Sequence, residues 1–330
     1  MNSELDHRLF DPAAVTADTR AFMERFDVAM RGVPTALNTP ITVLREARAS
    51  GKAALPIVRL PNGISDSIAG PAGPIALRIF KPERARGAYL HFHGGGFVMG
   101  APDQFDALLN RFAEGTGMTV VSAGYRLAPE HPFPAAPDDC IASARWFLQQ
   151  ADAGAFGDGG LAIGGESAGA YLAVTTLLRL RDVGVTGRFD AALLTSGAYD
   201  MSLTPSARNW GDRYALISTP ILRKYLEMFL PRDVDPTSPQ VSPLYANLSG
   251  MPPALFVVGT QDPLLDDSLF MAQRWRAAGS PAELRVYAGG IHGFNAFPMD
   301  IAGQAHVEQV EFITAASAEH REAEETRRKK

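Results

Sequence analysis

Leu161-Ala-Ile-Gly-Gly-Glu-Ser-Ala-Gly-Ala170 is an apolar run that closes in Gly165-Glu166-Ser167-Ala168-Gly169 and continues into an alanine- and leucine-rich stretch. The pattern predicts a strand, a very tight turn and a helix, with Ser167 at the tip of the turn. A residue held there has a strained backbone, and side chains two positions to either side collide with the neighbouring strand and helix. Gly165 and Gly169 remove those side chains. The Ser167 hydroxyl is then expected above the sheet edge, beside the Ala168 amide and the positive end of a helix predicted over Tyr171–Asp182. The five letters alone fit an ordinary glycine-flanked turn equally well; the strand before and the helix after favour a nucleophile.

Working outward, strand-like segments fall at Ile57–Leu60, Ile75–Phe80, Ala88–Phe92, Thr119–Ser122, Leu161–Gly164, Ala191–Thr195, Ala254–Gly259 and Glu283–Tyr287. Helical patterns lie between many of them, at Gln104–Glu114, Pro137–Gln150, Tyr171–Asp182 and Leu264–Ala278, with a last helix from about Ile301. Such alternation implies an α/β fold with a mostly parallel central sheet and helices on both faces. Ligands bind beyond the carboxyl ends of such strands.

Two regions stand outside the alternation. Near the N-terminus, Phe22, Phe26 and Met30 repeat at helical spacing, and Ile41–Ala49 is a second helical candidate. Between Asp200 and Leu248 the chain is too long for an ordinary connection and holds a helix over Thr219–Leu230, with Pro220 in its first turn. An insertion leaving the sheet at its carboxyl edge lies over Ser167, so the two regions together predict a helical cap. The expected organisation is residues 1–52 as N-terminal cap helices and residues 53–199 with 249–317 as the catalytic domain. Residues 200–248 form the cap insertion, and 318–330 a charged, frayed or disordered tail.

Bulk composition narrows the function. The 330 residues carry a formal net charge of −5, which argues against a nucleic-acid surface. No apolar run is long enough for a membrane span, and the first residues lack a signal peptide's pattern. With one cysteine, Cys140, no internal disulfide is possible, and a cytoplasmic location is expected. Cys140 falls in a helical pattern and reads as a small core residue.

A serine hydroxyl needs a positioned base, and that base needs an acid to hold it. On a sheet of this kind the order along the chain is Ser, acid, His. Of the seven histidines, His91 and His93 precede the serine, His7 is terminal, His131 sits among prolines, and His306 and His320 fall on the last charged helix. His292 remains, directly after a strand in Ala288-Gly-Gly-Ile-His-Gly-Phe294. Asp262, also at a strand's carboxyl end, is favoured as the acid over Asp266 and Asp267, which read as helix-capping and surface charge. A tetrahedral intermediate needs more than the Ala168 amide to hold its oxyanion, and His91-Phe-His-Gly-Gly-Gly-Phe97 offers the Gly94 and Gly95 amides. Phe97, next to that loop, is a candidate lining residue for the substrate pocket.

With these motifs in view, the chain from about Ile75 to Ala315 resembles the hormone-sensitive-lipase-like carboxylesterases (bacterial family IV) of the α/β-hydrolase superfamily. The likeness rests on His93-Gly-Gly-Gly96, the block Tyr125–Asp139, Gly165-Glu-Ser-Ala-Gly169, Asp262-Pro-Leu-Leu-Asp266 and His292-Gly-Phe294. It implies Ser167, Asp262 and His292 as the triad and the amides of Gly94, Gly95 and Ala168 as the oxyanion hole. It also implies a helical cap, no metal and no organic cofactor, and it makes a homodimer plausible. The expected substrate is a small-molecule short- to medium-chain ester. Amide, carbamate or formamide hydrolysis by the same residues is the alternative, and a non-catalytic binding protein on this scaffold a remote one.

Two positions depart from the family pattern. Glu166 stands where Asp or Thr is common, and either alters hydrogen bonding behind the oxyanion loop or is a solvated carboxylate. Ala170 stands where Gly is often found. Within Tyr125–Asp139, the residues Arg126, Glu130 and Asp138 are expected to form an ion-pair network shaping the loop.

Overall fold

The computed structural model describes residues 5–54 and 57–328. Eight strands make one sheet: β1 (Ile64–Gly70), β2 (Gly73–Phe80), β3 (Ala88–Phe92), β4 (Thr119–Ala123), β5 (Leu161–Glu166), β6 (Ala191–Thr195), β7 (Ala254–Gln261) and β8 (Ala282–Ile291). Their order is β1-β2-β4-β3-β5-β6-β7-β8, and every pair from β4 to β8 is parallel. The antiparallel exceptions are β1 with β2 and β2 with β4.

Side chains alternate across this sheet into two cores, as the period of a strand requires. Leu90, Phe92, Ile163, Leu194 and Phe256 enter one core with Tyr171 and Trp275. Their strand neighbours Tyr89, Ala162, Leu193, Leu255 and Val257 enter the other with Phe112 and Ile313. The helices are α1 (Ala17–Ala29), α2 (Ile41–Ala49), α3 (Asp106–Thr116), α4 (Ala135–Asp152), α5 (Ala168–Asp182), α6 (Pro205–Asn209), α7 (Thr219–Phe229), α8 (Leu265–Ala277) and α9 (Asp300–Arg328). Among the described residues no helix is long and apolar enough to cross a membrane.

Some local expectations need correction. Residues 57–60 are not a strand. The Leu60 amide donates to Asp106 Oδ2 and its carbonyl accepts from Arg78 Nη2, so a buried ion pair takes the groups a ladder would use. The first strand is instead Ile64-Ser-Asp-Ser-Ile-Ala-Gly70, mostly exposed and polar, which lacks the apolar signature of a buried strand. The charged tail continues the last helix within the described residues, since α9 runs on to Arg328. Helix α5 begins at Ala168, three residues before the expected start, so no loop separates it from Ser167. Cys140 is fully buried, as a core residue should be.

The two segments outside the alternation meet over the carboxyl edge. Helix α1 lies against the chain that follows β8: Phe22 and Phe26 pack on Phe297, and Thr19 Oγ1 donates to Asp300 Oδ1 at 2.8 Å. Helix α2 reaches the loop after β3, where Arg45 Nε donates to the Val98 carbonyl at 2.7 Å. The segment between β6 and β7 has a small core of its own, made of Leu203, Ala207, Ile217, Ile221 and Leu222, and it includes Leu264 from the start of α8. Leu37 shares a recess with Leu203, Pro220 and Leu226, which brings the N-terminal and inserted segments together.

The root of the insertion is clamped by Asp266 and Asp267, so neither is merely surface charge. Asp267 is 1% exposed and accepts from the amides of Tyr199 (2.6 Å) and Asp200 (3.0 Å) and from Thr204 Oγ1 (2.6 Å). Asp266 accepts from the Ser206 amide at 2.8 Å. Burial pushes the Asp267 carboxyl from an ordinary 3.8 up to about 7, against the pull of those donors. Between these values the folded protein holds a proton that the unfolded chain has released, so this group makes stability fall as pH rises through that window.

Asp267→Asn keeps an acceptor for both amides and cannot ionise. Relative to it, the wild-type melting temperature is expected to drop by several degrees, on the order of 5 °C, between pH 4 and pH 8. Parallel melting curves for the two proteins would show that Asp267 does not titrate in this range.

Candidate active site

Strand β5 delivers Ser167 with φ 56° and ψ −118°, a conformation that side chains rarely tolerate. Neighbouring backbone enforces it. The Ser167 amide donates to the Thr195 carbonyl at 2.9 Å, and its carbonyl accepts from the Tyr171 amide at 3.2 Å as α5 begins. A Cβ on Gly165 would stand 2.1 Å from the Phe92 carbonyl oxygen, and one on Gly169 only 1.9 Å from the same atom. Both glycines are therefore steric requirements of this turn.

His292 follows β8 and Asp262 follows β7, so parallel strands bring both to the edge that holds Ser167. His292 Nε2 lies 2.9 Å from Ser167 Oγ, and its Nδ1 lies 3.0 Å and 3.1 Å from the Asp262 carboxylate oxygens. An ionised carboxylate only accepts, so Nδ1 carries the proton and Nε2 is free to accept from the serine hydroxyl. The Leu264 amide donates to Asp262 Oδ1 at 2.9 Å and fixes that carboxylate. Asp262 and His292 are 1% and 4% exposed, which strengthens their interaction.

The glycine loop after β3 approaches the same place. A Cβ on Gly94 would meet Glu166 O at 3.0 Å and Ser167 Cβ at 3.6 Å. Among the described residues the amides of Gly94, Gly95 and Ala168 have no protein acceptor. The loop is folded on itself, with the Val98 and Met99 amides both donating to Gly95 O. His93 Nδ1 donates to Gly94 O at 2.9 Å, and Tyr125 Oη donates to His93 O at 2.7 Å while its ring stacks on the imidazole. Burial depresses the His93 pKa to about 3, so the ring stays neutral at any ordinary pH. Phe97 is not an open lining residue: its ring is 3% exposed, stacked 3.9 Å from Phe229 and edge-on to Tyr171.

The choice left open at Glu166 falls on hydrogen bonding. His91 Nε2 donates to Glu166 Oε2 at 2.8 Å, and its Nδ1 is hydrogen-bonded to Ser122 Oγ at 2.9 Å. The residue before the nucleophile is thus tied to the strand that carries the glycine loop. The expected network in Tyr125–Asp139 resolves into three separate pairs, Arg126–Asp139, Arg45–Glu130 and Arg179–Asp138. Arg45 and Arg48, three apart on α2, were not among the candidate residues, although their spacing places both on one helix face.

A tight strand-turn-helix presenting a serine, with a histidine and an aspartate from later strands of a mainly parallel sheet, is the arrangement of an α/β-hydrolase. Residues 89–296 match a family described as alpha/beta hydrolase fold. The chain belongs to that family, in its hormone-sensitive-lipase-like branch. It is similar to "Esterase LipI" of Mycobacterium tuberculosis (strain ATCC 25618 / H37Rv), 36% identical over 69% of this chain and 73% of that one. It is similar also to "Acetyl esterase" of Salmonella typhi, 31% identical over 76% of this chain and 79% of that one. Among solved structures, the hyperthermophilic esterase of the archaeon Pyrobaculum calidifontis superposes with a TM-score of 0.80 at 29% identity, covering 91% of this chain and 98% of that one.

Proposed function

We propose that the protein is a serine carboxylesterase that hydrolyses short- to medium-chain acyl esters through an acyl-enzyme. The observation that carries this reading is the unbroken relay from Ser167 Oγ through His292 to Asp262, with the glycine loop against Ser167 and the amides of Gly94, Gly95 and Ala168 without a protein acceptor among the described residues. The esterase names of the relatives agree with it.

In this reading Ser167 Oγ attacks the ester carbonyl as His292 Nε2 takes its proton. Asp262 holds the imidazole in the productive tautomer and stabilises the imidazolium. The oxyanion is met by the amides of Gly94, Gly95 and Ala168, each such donor being worth about 2.7–4 kcal/mol in the transition state. His292 passes the proton to the departing alkoxide, and water, activated by the same nitrogen, then releases the acid. Residues 1–52 and 200–248 serve as the cap over the catalytic domain formed by 53–199 and 249–317. The braced oxyanion loop is where that cap bears on the chemistry. One copy of the chain carries every group named. The single buried thiol fits a cytoplasmic setting.

The test is hydrolysis of p-nitrophenyl esters from acetate to palmitate, run beside matched anilides. Turnover should be greatest on short chains, fall steeply toward palmitate, and be far slower on every anilide. Faster cleavage of the anilides, or no ester hydrolysis by folded protein, would overturn this assignment.

A further inference from the structure

Three side chains from separate parts of the roof keep donor groups that no protein acceptor meets among the described residues. Arg48 on α2 spends only its Nε, donating to Gln104 Oε1 at 2.6 Å; among the described residues its terminal nitrogens have no partner and it forms no ion pair. The hydroxyls of Tyr214 and Tyr225 likewise have no hydrogen-bond partner among the described residues. All three side chains are half-buried; the two tyrosines pack against the same small core, and Arg48 lies within the electrostatic reach of both. Burial lowers the Arg48 pKa and raises those of both tyrosines, with no carboxylate among the groups acting on any of them.

Their location ties them to the chemistry. The Tyr225 ring lies against Gly96, where an added Cβ would stand 2.2 Å from it, and Gly96 directly follows Gly95. Gln104, the partner of Arg48, precedes Phe105, whose ring stacks on His93. Tyr214 is two residues from Leu216, which is 3.8 Å from where a Gly293 Cβ would be, beside His292. Tyr225 therefore borders the glycine loop, and the segment that carries Tyr214 reaches the turn after His292. A half-buried guanidinium with no counter-charge among the described residues can only donate, and beside two phenols with O–H groups to spare it gives a net positive field.

We propose that Arg48, Tyr214 and Tyr225 form a binding site for a carboxylate carried by the ester substrate, so that half-esters of dicarboxylic acids or esters of hydroxy acids are preferred over neutral esters. This rests on the esterase reading above. One guanidinium matches one negative charge, which favours a carboxylate over a doubly charged phosphate, and the planar fork can grip both its oxygens.

The experiment reads a ratio of kcat/KM values in two substrate pairs. On the acyl side the pair is p-nitrophenyl hydrogen glutarate against p-nitrophenyl pentanoate; on the alcohol side it is carboxymethyl butyrate against propyl butyrate. In at least one pair the ratio of charged to neutral ester should fall about 10–100-fold in Arg48→Met, with a smaller fall in Tyr225→Phe. The pair that responds identifies which arm of the ester carries the carboxylate. Ratios unchanged in both pairs, in Arg48→Met and equally in Arg48→Gln, would overturn the site while leaving the esterase reading standing. Equilibrium binding of monomethyl glutarate to the Ser167→Ala protein, with and without Arg48→Met, tests the site even if no ester is turned over. Equal affinities there would also overturn it.

Discussion

Ser167→Ala should fold with an unchanged denaturation midpoint and lose ester hydrolysis by on the order of 10⁴–10⁶-fold. The substitution removes the oxygen that forms the acyl bond in this reading, while His292, Asp262 and the amides of the glycine loop stay where they are. What remains should be the slow attack of water on a carbonyl polarised by those amides. A second substitution separates chemistry from architecture. At φ 56° and ψ −118° the backbone of Ser167 is strained for any side chain, so Ser167→Gly should be equally inactive yet more stable by about 1 kcal/mol. Urea titration and an ester assay on the three proteins decide both points. Activity within tenfold of wild type in pure Ser167→Ala would place the nucleophile elsewhere.

Gly169→Ala should be the most destabilising single methyl that can be added near the site, with an expected loss of more than about 4 kcal/mol or no soluble folded protein. The added carbon would sit 1.9 Å from the Phe92 carbonyl and 2.9 Å from that of His93. Both are backbone atoms, one at the end of the strand that carries the glycine loop and one in the residue after it, so no side chain can turn aside to make room. If the protein does fold, the strand must move and the amides of Gly94 and Gly95 move with it, so activity should fall as well. Gly184→Ala is the matched control, since nothing lies within 4 Å of its would-be Cβ; its φ of 79° still costs something. A Gly169→Ala protein as stable and active as wild type would mean that the turn is looser than these distances require.

Much of this was legible in the residues because close approach of backbone leaves a spelling. Gly165, Gly169 and the run Gly94–Gly96 stand where other chain segments press in, and contacts of that kind admit one residue type. The buried parallel strands were legible for a related reason: β3, β6 and β7 are covered on both faces and so read as unbroken apolar runs. By the same logic β1 was hidden. It lies at the sheet's edge and exposes most of its side chains, so its composition resembles a loop.

Pairings distant in sequence left the weakest trace. Asp267 read as a first-turn carboxylate because helix starts favour one, and nothing local shows that three donors from residues 199–204 converge on it. The Tyr125–Asp139 charges were read as partners of one another, whereas Glu130 and Asp138 look to Arg45 and Arg179, in other helices. Arg48, Tyr214 and Tyr225 acquire a common purpose only once α2, the inserted segment and α7 are folded over the glycine loop.

The contact between Ser167 and His292 spans 125 positions of sequence. A growing chain therefore carries its nucleophile turn well before it carries a base. The strands that bring Asp262 and His292, β7 and β8, are the last to be added to the sheet, in sequence and in space alike. Loop-closure entropy makes such distant contacts late events in folding as well. Unfinished or abandoned chains thus hold a serine with no partner to activate it, and hydrolysis becomes a property of the complete molecule alone. Recovery of activity during refolding accordingly reports the docking of the final strand, and can lag behind the return of helical signal from the rest of the fold.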